Sequence, residues 1–164
     1  MIKYFGLKKM NIKNIALVAH DNRKPDLIEW VTWNYEILIP HNLICTGTTG
    51  RLVEKALTNK SIEKKSDIKV KLTKLKSGPL GGDQQLGALI VDNKIDFMIF
   101  FWDPMEPHPH DVDVKALLRI SVLYNIPIAC NRSTADFMIS SKLMNVNYER
   151  KIKDYSSYIK RNIN

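Results

Sequence analysis

Residues 43–57 have the sequence LICTGTTGRLVEKAL, a short apolar run followed by a Thr/Gly turn and by apolar residues at helical spacing. The run Leu43–Cys45 predicts a buried strand, and the spacing within Arg51–Leu57 predicts one face of a helix. The turn between them, Thr46–Gly50, suits an anion, because glycine allows close approach and a helix N-terminus favours negative charge. An ordinary helix cap is the alternative interpretation, since Thr is a preferred N-cap residue.

The same succession of strand, turn and helix recurs along the chain and predicts the fold class. Most predicted strands are continuous apolar runs, which is typical of strands buried on both faces. We therefore expect an α/β fold of the doubly wound, flavodoxin-like type, with a mostly parallel five-stranded sheet and helices on both faces. The predicted strands are Ile15–Ala19, Leu43–Cys45, Val70–Leu75, Phe97–Phe101 and Pro127–Cys130, and the predicted helices are Pro25–Asn34, Arg51–Leu57, Gln84–Val91, Val114–Tyr124 and 134–140.

Length and composition predict one globular domain. The chain has 164 residues, 45% of them hydrophobic, and a net charge of +8. The net positive charge comes from two segments. Residues 60–76 contain seven lysines and two carboxylates, and residues 149–164 contain five basic and two acidic residues. This distribution indicates solvated surface and argues against a nucleic-acid partner, since interleaved aromatic residues are missing. We expect a short extension at 1–12, one domain at 13–164 and a lysine-rich loop at about 59–76.

Location and cysteine use follow from the same sequence. No apolar run approaches the length of a membrane span, and residues 1–10 lack the apolar core of a signal peptide. The sequence therefore predicts a cytoplasmic protein without a membrane partner. Cys45 and Cys130 lie in separate apolar runs and are interpreted as core residues. Trp30 and Trp33 are interpreted as packing residues of the first helix.

A glycine-rich segment, Ser77–Gln85, places the carboxylate of Asp83 beside a second possible phosphate turn. A carboxylate next to a phosphate site suggests proton abstraction from a phosphorylated substrate. The alternative is that Asp83 is the N-cap of the next helix.

A third polar segment, Trp102–Lys115, follows the fourth predicted strand. Ligands of open α/β sheets bind where the strands end, so these residues should meet the polar residues that follow the other strands. Several alternatives remain. His20 would serve as a core hydrogen-bonding residue, His108-Pro109-His110 as a divalent metal site, and Asp111 with Asp113 as the acidic first turn of a helix.

Six motifs in order resemble the methylglyoxal synthase family, from about residue 13 to the C-terminus. The same domain type occurs as the allosteric module of carbamoyl phosphate synthetase. The matching segments are Ile15–Asp21, Thr46–Gly50, Ser77–Pro79 with Gly81–Gln85, Phe100–Pro104, Pro109–Asp111 with Asp113–Leu118, and Thr134–Phe137.

The resemblance implies conversion of dihydroxyacetone phosphate to methylglyoxal and inorganic phosphate, with no metal or organic cofactor. Inorganic phosphate is then an expected inhibitor, and a homohexamer the expected assembly. Asp83 matches the catalytic base. The phosphate- and substrate-binding positions correspond to His20, Lys24, Thr46, Gly47, Thr48, Thr49, Ser77, Gly78 and His110, and the supporting acids to Asp21, Asp103 and Asp113.

The chemistry of these side chains fits that reaction. A carboxylate of ordinary pKa, about 3.9, removes a proton beside a ketone only if the developing enediolate is stabilised. We assign His110 to polarise the carbonyl and relay protons, Asp113 or Asp21 to orient it, and Asp83 to take the carbon-bound proton. A non-catalytic, phosphate-sensing regulatory module of the same fold is the alternative function.

The chain departs from the family pattern in two places. The connection Lys55–Lys76 is longer than usual and enlarges a surface loop. The arginine with which family members reach a neighbouring subunit's phosphate site falls on Asn162, with Arg161 one residue earlier. Arg161 is therefore a candidate contact between subunits.

Overall fold

A computed structural model describes residues 11–107 and 111–160 of the chain. Within these ranges, five strands alternate with seven helices. The strands are β1 (Asn14–Ala19), β2 (Asn42–Cys45), β3 (Lys71–Lys74), β4 (Phe97–Phe101) and β5 (Ile128–Ala129). The helices are α1 (Lys24–Trp33), α2 (Tyr35–Leu38), α3 (Gly47–Glu63), α4 (Gly82–Val91), α5 (Asp111–Leu123), α6 (Arg132–Ile139) and α7 (Ser156–Ile159), with 3-10 turns at Asp21–Arg23, Gly78–Leu80 and Lys142–Asn145.

The strands form one sheet in the order β3-β2-β1-β4-β5, and every pairing is parallel. The predicted doubly wound α/β class is therefore confirmed. The order differs from the flavodoxin-like order 2-1-3-4-5, because β3 joins the sheet beyond β2 instead of beyond β1. The chain thus moves outward from β1 to β3 and returns past β1 to β4. The reversal lies between β1 and β4, and a ligand crevice is expected at such a point.

Two apolar layers cover the sheet, one on each face. Side chains alternate along β1, so that Ile15, Leu17 and Ala19 join one layer while Ala16 and Val18 join the other. The first layer includes buried side chains of α1, α3 and α6, and the second those of α4 and α5. Burial of β1 on both faces explains why its sequence is continuously apolar.

Two predictions about single segments need correction. Helix α3 is far longer than the predicted Arg51–Leu57, because it starts at the glycine turn and includes the lysine-rich residues up to Glu63. The predicted loop at 59–76 therefore contains the end of α3 and all of β3. Strand β3 is a largely exposed edge strand, and its lysines discourage pairing with another chain.

The two tryptophans of α1 have different environments. Trp30 is fully buried, and its indole N–H donates to Asp136 Oδ1 at 2.7 Å. The packing interpretation is right for Trp30 and wrong for Trp33, which is 84% exposed.

A hydrogen-bonded cluster ties the amino-terminal end of the sheet together. The backbone N–H of Lys13 donates to Nδ1 of His41 at 3.1 Å, and the backbone N–H of Asn14 donates to Asp96 Oδ2 at 2.7 Å. The Lys13 ammonium donates to the carbonyl of Val146 at 2.6 Å. Burial, helped by the charge of Lys13 and opposed by that of Asp96, lowers the pKa of His41.

The described helices give no sign of a membrane span, since none combines the required length with sufficient apolar character. The predicted domain boundary at residue 13 lies just before β1. Residues 1–10 lie outside the described ranges, so this boundary stays a prediction.

Candidate active site at the carboxyl ends of the strands

A cavity of about 320 Å³ lies at the carboxyl ends of the strands. Residues that follow β1, β2, β3 and β4 line it, so the convergence predicted from the sequence is present. The lining consists of Val18, Ala19, His20, Asp21, Lys24, Thr46, Thr48, Thr49, Ser77, Gly78, Pro79, Asp83, Phe100 and Glu106.

One wall of the cavity is formed by the turns after β2 and β3, which we call the cradle (Thr46–Thr49 with Ser77 and Gly78). The two turns are in close contact, since the backbone N–H of Gly47 donates to the carbonyl of Lys76 at 3.0 Å. A Cβ on Gly47 would lie 2.9 Å from the backbone nitrogen of Ser77. Only glycine allows this approach, so Gly47 shapes the cradle without being part of the lining.

The cradle coincides with the start of the long helix α3. Thr46 is its N-cap residue, yet within the described chain its side chain makes no capping hydrogen bond. Thr46 therefore occupies the capping position, but its hydroxyl does not act as a cap. Thr49 is 1% exposed and still lines the cavity. Hydroxyl groups and the helix N-terminus together provide neutral donors for an anion.

Asp83 is placed by the turn that joins Ser77 to α4. The backbone N–H of Gly82 donates to the carbonyl of Ser77 at 2.9 Å, and a Cβ on Gly82 would lie 2.1 Å from the carbonyl oxygen of Lys76. The N-cap of α4 is Gly81, so the capping alternative for Asp83 is wrong. Asp83 lies in the first turn of α4, is 5% exposed and lines the cavity beside the cradle.

His20 lies on the other wall, at the end of β1. The backbone N–H of Asp103 donates to its Nδ1 at 3.2 Å, and its ring meets Phe100 edge-on at 5.1 Å. In this contact Nδ1 of His20 is the acceptor. The core-bonding alternative describes part of its environment, because His20 is tied to the β4 loop. His20 also lines the cavity, and its role in binding stays a prediction.

Lys24 and Asp21 form an ion pair at the start of α1. The Lys24 side chain is 16% exposed, whereas that of Asp21 is 85% exposed. Both residues line the cavity, so the predicted basic group is present with a carboxylate beside it.

Some predicted residues lie elsewhere. Asp103 does not line the cavity but holds His20 through its backbone. Asp113 lies in the first turn of α5 and is also outside the lining. Asp111 pairs with Lys115 at 2.7 Å in the same turn, which favours the helix-start interpretation for Asp111. His110, Arg161 and the His108-Pro109-His110 metal alternative lie outside the described residues.

Sequence reasoning missed Asn22 and Glu106. Asn22 donates from Nδ2 to Glu106 Oε2 at 2.5 Å and to Asp103 Oδ2 at 3.4 Å, so that it links the loops after β1 and β4. Glu106 is part of the cavity lining. The position of Glu106 in the polar segment after β4 could have predicted that it lines the cavity.

Cysteine and metal chemistry have little support within the described ranges. There, no group of three His, Cys, Asp or Glu side chains is arranged to hold a metal ion. Cys45 precedes the cradle, and burial raises the pKa of its thiol to about 12. Cys130 is only half-buried, which corrects its interpretation as a core residue, and burial raises its pKa as well.

Known proteins resemble this chain over most of its length. The family model described as "MGS-like domain" matches residues 26–130. A methylglyoxal synthase of Maridesulfovibrio salexigens is 57% identical over 155 residues, which cover 93% of this chain and 98% of the relative. One of Coxiella burnetii is 50% identical over 149 residues, 91% of this chain and 96% of the relative. The crystal structure of methylglyoxal synthase from Elizabethkingia anophelis NUHP1 aligns with a TM-score of 0.82, 51% identity and 93% coverage of both chains.

Fold, cavity and family model together define an α/β domain of the MGS-like class with a cavity at its strand ends. Within that class, the relatives that are 50% or more identical over nine-tenths of the chain are methylglyoxal synthases. The chain belongs to the methylglyoxal synthase family, and the predicted enzyme class, a carbon-oxygen lyase, is confirmed with it.

Proposed function

We propose that this chain converts dihydroxyacetone phosphate to methylglyoxal and inorganic phosphate, with Asp83 as the catalytic base. The observation that carries the proposal is the position of Asp83. Asp83 is only 5% exposed and lines a cavity that is also lined by the cradle. A base and a phosphate site within one small cavity are what this reaction requires.

The first step is proton transfer. Asp83 takes a proton from the hydroxymethyl carbon of the substrate, and the electron pair of that C–H bond forms the enediolate. His20 supplies a hydrogen bond from Nε2–H, since Asp103 occupies its Nδ1. His110, which lies outside the described residues, is proposed to polarise the carbonyl, with Asp113 or Asp21 orienting it.

The second step is loss of phosphate. The enediolate electrons form a new carbon–carbon double bond while the bridging carbon–oxygen bond breaks, and inorganic phosphate leaves. The departing phosphate takes up the proton that Asp83 removed, which regenerates the base. The resulting enol becomes methylglyoxal by tautomerisation, so that all atoms of the substrate appear in the two products. Elimination requires the breaking bond to lie out of the enediolate plane. The cradle, with Lys24, is proposed to fix the phosphate in that orientation.

We also propose that the chain assembles as a homohexamer. Support comes from large apolar side chains on the described surface, including Trp33 at 84% and Phe137 at 81% exposure, since such residues often mark interfaces. Light scattering at micromolar concentration measures the mass directly, and a monomeric mass would contradict the proposal. The cytoplasmic location predicted from the sequence stays a prediction.

The test measures both products from dihydroxyacetone phosphate at pH 7 without added metal. We expect the native chain to release methylglyoxal and inorganic phosphate in equal amounts. Replacing the base in Asp83→Asn should reduce turnover by about a thousandfold or more, because general base catalysis contributes about 10² to 10⁴ and elimination depends on it fully. Binding of inorganic phosphate, measured by calorimetry, should be retained in that variant.

The matched control is Asp92→Asn. Asp92 caps the other end of the same helix and is exposed, so its substitution should leave turnover unchanged. Failure of the native chain to form methylglyoxal, with phosphate still bound tightly, would favour the phosphate-sensing alternative. Release of glyceraldehyde 3-phosphate instead of methylglyoxal would indicate an isomerase.

A further inference from the structure

Glu106 extends into the same cavity from the loop after β4, and a specific contact holds it there. Asn22 donates to its carboxylate at 2.5 Å and reaches Asp103 Oδ2 at 3.4 Å with the same nitrogen. Asp103 is itself fixed, because its Oδ1 accepts from the backbone N–H of Met105 at 3.0 Å. The Glu106 carboxylate therefore has a defined position although its side chain is solvent-exposed.

The strand order places Glu106 opposite the cradle. The cradle follows β2 and β3, whereas Glu106 and Asn22 follow β4 and β1. Neighbouring strands are about 4.8 Å apart, so β2 and β4 are separated by roughly 10 Å. A ligand with its phosphate in the cradle directs its other end towards Asn22 and Glu106.

The charges opposite the cradle favour a neutral ligand end. Lys24, the basic side chain in the described lining, is proposed to act at the phosphate end and is already paired with Asp21. Glu106 adds a negative charge opposite the cradle, and its partner Asn22 is uncharged. An anionic group arriving there meets a carboxylate at close range.

We propose that Glu106, held by Asn22, is a specificity-determining residue that excludes ligands with an anionic group at the end remote from the phosphate. Triose phosphates, which end in a neutral hydroxymethyl or carbonyl group, are accepted, and phosphorylated acids of the same length are rejected. This inference rests on the proposed function, since it takes the cradle as the phosphate site.

The test compares two three-carbon phosphates that differ only at the remote end. Glycerol 3-phosphate ends in a hydroxymethyl group, and 3-phosphoglycerate ends in a carboxylate. Calorimetry gives the Kd of each compound for the native chain and for Glu106→Gln, which removes the charge but keeps an oxygen for Asn22. We expect Glu106→Gln to strengthen 3-phosphoglycerate binding relative to glycerol 3-phosphate by roughly fivefold, the effect of two charges about 4 to 5 Å apart in water.

Two further variants separate charge from loop structure. Glu106→Asp keeps the charge and should retain the native ratio of the two Kd values. Asn22→Ala releases the carboxylate. It should lower the ratio of the Kd of 3-phosphoglycerate to that of glycerol 3-phosphate, but by less than Glu106→Gln does. The native ratio should also fall as salt is added, because screening weakens interactions between exposed charges.

An unchanged ratio in Glu106→Gln would overturn the inference, as would an equal gain for both compounds. The proposed function is judged separately by methylglyoxal release. A native chain that forms methylglyoxal but shows no effect of Glu106→Gln refutes only the specificity role. A native chain that binds neither compound refutes the phosphate cavity itself.

Discussion

The two ends of the sheet both collect polar side chains within an apolar framework, yet they use them differently. At the amino end, the buried imidazole of His41 and the carboxylate of Asp96 accept hydrogen bonds from the backbone of β1 and its preceding residue. At the carboxyl end, Thr49 and Asp83 are about as buried as His41, and they line the cavity beside the cradle. Asp96 also borders a cavity, of about 200 Å³, but its carboxylate there accepts the hydrogen bond of Asn14. The polar groups described at the first end bind the protein to itself, whereas those at the second are proposed to bind a ligand.

The difference shows how one sheet separates stability from function. A buried polar group whose partner is removed costs stability. A group that faces a cavity loses water only when a ligand arrives, so its removal affects binding. Substitutions at the two ends should therefore affect different measurements, and the following predictions test that separation.

Among the substitutions that compare the two ends, the largest effect is expected for Gly47→Ala. The new Cβ would lie 2.9 Å from the backbone nitrogen of Ser77, so the two turns of the cradle must separate. Displacement of about 1 Å costs about a hundredfold in turnover, and strain of this kind costs about 1–3 kcal/mol in the free energy of unfolding. Steady-state kinetics and urea unfolding measure the two effects.

Gly87→Ala is its matched control, since no described atom outside its chain neighbours and the adjoining backbone of its own helix lies within 4 Å of the position that its Cβ would take. This variant should keep native turnover and unfold at higher urea, because alanine favours the interior of a helix. Native turnover in Gly47→Ala would contradict a rigid cradle.

At the amino end, Asp96→Ala should reduce stability but not activity. The backbone N–H of Asn14 loses the acceptor that it has at 2.7 Å, and an unsatisfied donor costs about 1–3 kcal/mol. Urea unfolding measures the loss, and kinetics at 20 °C should give native turnover per folded molecule. A fall in turnover well below the temperature of unfolding would break the proposed separation of the two ends.

Thr48→Val should weaken ligand binding and leave stability unchanged, which is the opposite of Asp96→Ala, and the effect should be smaller. Its hydroxyl lines the cavity, and its loss should weaken binding of inorganic phosphate by about tenfold, as expected for one hydrogen bond to a charged group. The free energy of unfolding should stay within about 0.5 kcal/mol of native. Thr73→Val, on the exposed edge strand β3, is the control and should change neither quantity.

The smallest effect concerns pH and the buried His41. Its pKa is lowered in the folded state from an ordinary value of 6.5, chiefly by burial. The unfolded chain therefore binds a proton more readily, so the stabilisation is complete above pH 6.5 and is lost as the pH falls below it. The slope from this one group is at most about 1.4 kcal/mol per pH unit.

Urea unfolding at pH 7 and pH 5.5 measures that slope, and His41→Gln should reduce it. An equally steep loss in the variant would assign the acid sensitivity to other groups.

The sequence predicted what depends on neighbouring residues in the chain. Apolar runs located β1 and β4, and glycine turns located the cradle and Asp83. Strand order was not predictable in this way, because the position of β3 depends on which edge of the sheet remains open when it forms. The contact between Asn22 and Glu106 was not predicted for a related reason, since 84 residues separate them and neither belongs to a motif. His110, predicted from the family resemblance, still awaits a structural test.

Burial of Cys45 also bears on chemical durability. The proposed product, methylglyoxal, is a dicarbonyl electrophile, and a cysteine attacks such a compound as the thiolate. Cys45 immediately precedes the cradle, but burial raises the pKa of its thiol to about 12, which favours the protonated form at neutral pH. Burial of this thiol is thus expected to protect the strand that leads into the cradle from modification by the proposed product.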